Sequence, residues 1–202
     1  MAKFSAGFTG RPHRDTGTIK EVPPGQYVTR DFPVLSAGPT PEVALDRWRL
    51  EVGGSEGVVQ GWTWDEFRAL GAERVKADLH CVTRWSKLAT TWTGIPVERL
   101  LADVDVAGDF VVASSYGGYT TNLPLEDLLD GKAWVVFEYD GKPIHPEHGG
   151  PARLLVPHLY LWKSAKWLRG LQLRDRDAPG FWEQLGYHNY GDPWQEQRHW
   201  GD

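Results

Sequence analysis

His145-Pro-Glu-His148-Gly-Gly-Pro151-Ala-Arg153-Leu-Leu-Val-Pro157 decides how the rest of the chain is read. It starts as a loop broken by proline and glycine that carries two imidazoles, and Arg153-Leu-Leu-Val156 then predicts an apolar strand opened by a guanidinium. Two histidines three apart in a non-helical segment lack the regular spacing of a zinc motif, and no cysteine pair completes one. A solvated loop and a ligand- or anion-contacting loop both remain open for His145 and His148.

Outward from this stretch, Trp134 to Tyr139 and Lys166 to Leu173 predict strands on either side, with Asp140-Gly-Lys-Pro143 as a turn. Phe110-Val-Val-Ala113 predicts another strand, leading through a glycine-rich bend at Ser114-Ser-Tyr-Gly-Gly118. Pro124 to Leu129 predicts a short helix. Trp48, Leu50 and Val52 alternate with charged residues as in a half-buried strand that stops at Gly53-Gly54. Thr63 and Glu66 form a capping box for a helix whose Phe67 and Leu70 share a face and which ends at Gly71. A strand over 73–82 delivers His80 and Cys81 to its end. A Trp- and Thr-rich loop is expected over 83–95 before a short helix begun by Pro96. The sum is an α+β domain of mixed β-sheets with short helices.

Length and composition allow one domain with a full core. Residues 1–26 are expected to form an irregular N-terminal arm, 27–178 the domain, and 179–202 a C-terminal tail packed on it. A net charge of -5 with no basic run argues against nucleic-acid binding. No apolar stretch opens the chain and its one cysteine cannot pair internally, so the expectation is a cytoplasmic protein with no membrane insertion. Eleven tryptophans suggest either a Trp-stitched core or flat rings around a pocket.

Three further clusters carry candidate chemistry. Cys81 sits in His80-Cys-Val-Thr-Arg-Trp-Ser86, where a histidine and an arginine favour the thiolate that a soft metal or an electrophile needs; a small buried hydrophobe is the plain alternative. Lys163-Ser164-Ala165-Lys166 puts backbone amides, a hydroxyl and two ammonium groups in one turn, which suits phosphate oxygens or a solvated charged turn. Tyr27-Val28-Thr29-Arg30-Asp31-Phe32-Pro33-Val34 is a rigid polar segment whose Arg30 faces either an anion or a surface carboxylate.

In order and separation, the four clusters resemble the molybdopterin-binding domain of the sulfite oxidase family, including its bacterial methionine sulfoxide reductase branch. The likeness runs from about residue 27 to 175. Thr29 to Val34 resembles the family's Thr-Arg-Asn-His-Leu-Pro-Val segment, shortened, and Cys81-Val-Thr-Arg-Trp-Ser86 resembles the reductase branch's Cys-Val-x-x-Trp-Ser. His148-Gly-Gly-Pro-Ala-Arg153 repeats the family's His-to-Arg spacing, and Lys163 to Leu168 matches its phosphate loop.

That resemblance implies a sulfite-oxidase-type fold and a molybdopterin cofactor bearing molybdenum, or tungsten, with Cys81 as metal ligand. It further implies Arg153, Lys166, Ser164 and Ala165 at the pterin phosphate, and Val28, Thr29, Arg30, Asp31, Phe32 and His148 along the pterin. Ser115 and Tyr116, at the glycine-rich bend, are expected either at the pterin or metal face or as turn residues. Arg84, Trp85 and Tyr119 are expected at the mouth for a small-molecule substrate. The implied activity is two-electron oxygen-atom transfer on a small sulfur- or nitrogen-oxide. One departure bears on the substrate: sulfite oxidases place an arginine five residues after the cysteine, and this chain has Ser86 there. No segment matches the family's cytochrome domain or its C-terminal dimerisation domain, which implies no haem and a separate electron-transfer partner. Two rival readings are a cofactor-free thiol enzyme with Cys81 activated by His80, and a Trp-rich ligand-binding module.

Overall fold

A computed structural model describes residues 22–104 and 107–202, so the expected arm lies outside the described residues up to position 21. The strands and helices run in the order β1 (Tyr27–Val28), β2 (Arg49–Gly54), β3 (Gly57–Thr63), α1 (Trp64–Ala69), β4 (Glu73–His80), β5 (Trp85–Pro96) and α2 (Val97–Leu101). There follow β6 (Phe110–Ser115), β7 (Thr120–Pro124), β8 (Trp134–Tyr139), β9 (Lys142–Pro143), β10 (Arg153–Leu155), β11 (Leu168–Arg174) and α3 (Phe181–Gln184). One mixed sheet has the path β1-β5-β8-β10, with β4 on β5 and β9 on β8. The other reads β3-β2-β11-β6-β7. Both combine parallel and antiparallel pairs, as β1 runs parallel to β5 and β2 parallel to β11.

Side-chain alternation along the strands separates a central core from the site. On β8, Val135 and Phe137 point into the large cluster between the sheets with Leu154 and Leu171, while Trp134 and Val136 point into a smaller cluster on the opposite face. On β10, Leu155 joins the smaller cluster. Arg153, two residues away, shares its face. On β4 the odd positions Val75, Ala77 and Leu79 point the same way, and Cys81 continues the series. His80 therefore points away from the thiol beside it.

The capping box of α1 is present, with Thr63 accepting from the Glu66 amide and Glu66 reaching back to the Thr63 amide at 2.7 Å. The stretch expected as a loop over 83–95 is instead β5, the longest strand of the chain. Its threonines, tryptophan and isoleucine favour a pleated surface. A bulge hides the period: Ala77 pairs with Thr90 and Leu79 with Lys87, so Leu88 and Ala89 together face Asp78. The Ala89 amide bonds the Asp78 carboxylate at 2.7 Å, and Ala89 takes a φ of 55°. The hairpin arm β3 and the short strands β1 and β9 were not expected from the sequence, and the helix expected over 124–129 is a single 3₁₀ turn over Leu125–Leu128.

Candidate active site

Cys81 opens the tight turn between β4 and β5. Its amide bonds the Trp85 carbonyl at 2.9 Å, its carbonyl accepts from the Arg84 amide at 3.0 Å, and Arg84 takes a φ of 73° to close the turn. The thiol is buried, and the Thr83 hydroxyl lies 3.1 Å from its sulfur. Burial pushes the thiol pKa up, against the pull of the Thr83 hydrogen bond and the Lys166 charge.

The thiol looks into a cavity of about 440 Å³. Arg153, Ser164 and Lys166 come from β10 and the loop before β11; Phe32 to Pro39 cross the cavity as an exposed roof; Gly117, Gly118 and Tyr119 come from the β6–β7 bend. The remaining wall is aromatic, with Trp85, Trp162, Trp167, Phe181, Trp182 and Tyr187. Among the described residues no Asp or Glu lies on it.

Two cations therefore face the space without a carboxylate. Arg153 is 2% exposed, donates to the carbonyls of His148 and Ser164 at 2.8 Å each, and is pulled down to about 10 by burial. Lys166 donates to the carbonyls of Leu35 and Glu147 at 2.7 Å and is lowered to about 8, by burial and then by Arg153. Among the described residues neither forms an ion pair. Ser164 is directed inward, its hydroxyl accepting from the Val156 amide at 2.9 Å, and the Ala165 carbonyl accepts from the Leu154 amide.

The residues expected from sequence divide into two groups. Phe32, Cys81, Trp85, Tyr119, Arg153, Ser164 and Lys166 meet around the cavity. His148 adjoins them, its ring stacked on Phe32 at 4.1 Å with Nδ1 buried and unpartnered. Off the wall, Val28 lies on the exposed strand β1, the Thr29 hydroxyl accepts from the Asp31 amide, and the Arg30 carbonyl accepts from Lys87. Arg84 is exposed and packs beside Gly25. Tyr116 bonds the Arg49 backbone, and Ser115 holds a buried hydroxyl without a partner.

One expectation needs correction. Lys163 does not join Lys166 in a pair of ammonium groups at one anion site; its ammonium lies 2.7 Å from Glu183 on α3, both side chains being 1% exposed. The loop turns through a 3₁₀ turn at Leu161–Lys163, which sends Lys163 to the opposite side. Ser86 also turns inward: it is fully buried, 2.8 Å from His80 Nδ1, with its hydroxyl directed at Gln26. His80 is therefore engaged with Ser86 and is absent from the cavity wall.

Sequence reasoning missed Thr83, Trp162, Trp167 and the trio Phe181, Trp182 and Tyr187. The trio reads as an aromatic tail, with nothing in its spacing to tie it to a turn a hundred residues earlier. Tyr187 is within electrostatic reach of Cys81, and burial first, then that sulfur's charge, raises its pKa.

A molybdopterin fits this site. Its phosphate needs cations not already spent in ion pairs, as the buried Arg153 and the half-buried Lys166 are among the described residues. Its polar edge needs donors and acceptors left open, and Trp85 Nε1 on the wall and His148 Nδ1 beside it are both buried and unpartnered. Among the described residues no group of three or more His, Cys, Asp or Glu gathers around a metal position. A metal at Cys81 would have to draw most of its ligands from a chelate.

A two-sheet α+β domain with a buried cysteine thiol and two cations on one cavity defines the class, an oxidoreductase built around an anionic metal chelate. The chain belongs to the oxidoreductase molybdopterin binding domain family, whose model matches residues 37–182. It is 42% identical over 188 residues to the uncharacterized oxidoreductase YuiH of Bacillus subtilis (strain 168), covering 92% of this chain and 95% of that one. It is 27% identical over 182 residues to the putative protein-methionine-sulfoxide reductase subunit YedZ1 of Azospira oryzae, covering 88% and 69%. In fold it is similar to the sulfane dehydrogenase SoxCD from Paracoccus pantotrophus, with a TM-score of 0.62 at 22% identity over 69% of this chain and 41% of that one. The protein is thus a molybdenum-cofactor-dependent oxidoreductase of the sulfite oxidase family with that family's fold.

Proposed function

We propose that the protein transfers an oxygen atom, with two electrons, to or from a small sulfur- or nitrogen-oxide substrate, using a molybdopterin held at the Cys81 cavity. The observation that carries the reading is the buried thiol sharing one acid-free cavity with two uncompensated cations. A molybdenum ion, or a tungsten ion, chelated by the pterin supplies the redox change when bound. Cys81 ligates the metal as thiolate, which Thr83 and Lys166 favour. Arg153 and Lys166 hold the phosphate, Ser164 fixes the loop between them, and Phe32 and His148 line the pterin side. Tyr119 is spent in its bond to the Trp162 carbonyl at 2.5 Å, so it shapes the wall instead of reaching substrate. The aromatic wall excludes water.

Electrons come from or go to a separate partner, a reading supported by the relative named as a reductase subunit. A reducing, cytoplasmic setting suits a chain whose chemistry needs one free thiolate. No described helix is long and apolar enough to cross a membrane. The engagement of His80 with Ser86 disfavours a cofactor-free thiol enzyme, which needs that imidazole at the sulfur.

The test is elemental analysis with pterin fluorescence on protein made in a cofactor-competent host. Wild type is expected to carry near-stoichiometric molybdenum or tungsten, and Cys81→Ala to lose the metal's sulfur-ligand spectrum and turnover. A variant that kept both would overturn the assignment.

A further inference from the structure

The wall of the cavity contributed by α3 and the segment after it carries aromatic rings and no cation, yet it is built with care. Phe181 and Trp182 pack edge to face with centroids 5.0 Å apart, Trp182 lies 4.9 Å from Tyr187, and Tyr187 meets Trp162 edge-on at 5.1 Å. The cluster is pinned from behind. Glu183, the next residue after Trp182, is buried and bonded to Lys163, to the Thr121 hydroxyl at 2.9 Å and to the Trp162 indole N–H at 2.9 Å. Gly180 lets the helix start against β7, since a Cβ there would lie 2.4 Å from the Thr120 carbonyl oxygen. Phe181 nevertheless stays 38% exposed at the cavity edge, and the wall is fixed in place while its rings remain open to a ligand.

Resting on the oxygen-transfer reading, we infer that Phe181 and Trp182 determine specificity, selecting an uncharged organic oxide that carries a flat apolar group over an oxyanion. Three observations carry it. Among the described residues the cations on the cavity wall are Arg153 and Lys166, both assigned above to the cofactor phosphate. The position where an oxyanion-binding arginine would sit holds Ser86, buried and turned to His80. What remains for the substrate beside Cys81 is a set of ring faces and edges with the Tyr187 phenol among them, which stabilises a flat neutral group by area and by ring geometry and offers an oxyanion no cation to offset its desolvation.

The inference is tested on holoenzyme with methyl phenyl sulfoxide, dimethyl sulfoxide and sulfite as probes. Reduction follows R–S(=O)–R′ + 2 H⁺ + 2 e⁻ → R–S–R′ + H₂O, with a reduced viologen dye giving the electrons. Wild type is expected to prefer the phenyl over the dimethyl compound in kcat/KM. In Phe181→Ala and Trp182→Ala that preference falls by about tenfold, mostly through KM, the scale of one lost aromatic contact; Trp182→Phe keeps most of it. Calorimetric binding of methyl phenyl sulfoxide follows the same order, independently of turnover, and sulfite does not compete. Phe181 is partly exposed, so its variant reports on the wall with the core intact. Equal kcat/KM losses for both sulfoxides, or sulfite displacing the phenyl compound, overturn the inference. Turnover of no oxide with the binding order preserved overturns the oxygen-transfer reading and upholds the wall.

Discussion

Tyr187 makes ring contacts with Trp162, Trp182 and His199, and among the described residues its hydroxyl makes no hydrogen bond. A phenol on the cavity wall, facing Cys81, is placed to donate to an oxygen on the substrate. Tyr187→Phe is expected to lower kcat by about tenfold to hundredfold with metal content unchanged, as read by steady-state kinetics beside elemental analysis. His148 is lowered from an ordinary 6.5 to about 4, by burial first and then by the nearby Lys166 and Arg153 charges. Between those values the unfolded chain binds a proton that the folded one refuses, so stability falls as pH drops from about 6.5 to about 4. Thermal melts across that window are expected to show a decline, which His148→Phe flattens. At this scale Cys81 and Arg153 were legible because each opens or closes a recognisable pattern. Thr83 and Tyr187 were not, since each acquires meaning only through a neighbour brought by the fold.

Among the elements, the 3₁₀ turn at Leu161–Lys163 sends Lys163 to α3 while Lys166, three residues on, returns to the cavity. Lys163 also donates to the Asn122 and Asn189 carbonyls at 2.8 and 2.6 Å, so it ties β7, the loop before β11 and the tail together. Removing one partner leaves a buried charge without compensation. Lys163→Met is expected to destabilise by about 3–5 kcal/mol in denaturant melts, whereas the paired change Lys163→Met with Glu183→Gln recovers part of the loss. The strands with clean periods, β2, β6 and β8, were readable from their residues. β5 was not, because the bulge opposite Asp78 breaks its alternation and makes a half-buried strand look like a loop.

Across the whole molecule, the two sheets enclose the main core and leave the site to the outer face of one of them. Arg153 and Lys166 there are held below their ordinary pKa by burial, a cost that a bound anion would offset. Cofactor loading is accordingly expected to raise the melting temperature by several degrees over the cofactor-free form, through binding to the folded state alone, as scanning calorimetry of both forms would read. The sheet-rich α+β class followed from the alternation of strands and short helices, but the closing of the site by distant segments did not. Arg198 donates to the Val82 carbonyl at 3.0 Å and to the Pro24 carbonyl at 3.2 Å, clamping the cysteine turn from the far end of the sequence. During translation Cys81 leaves the ribosome well before Phe181, Glu183 and Arg198 do. For that interval the nascent chain presents its sulfur to solvent, and oxidants or alkylating agents reach it more easily then than at any time after release.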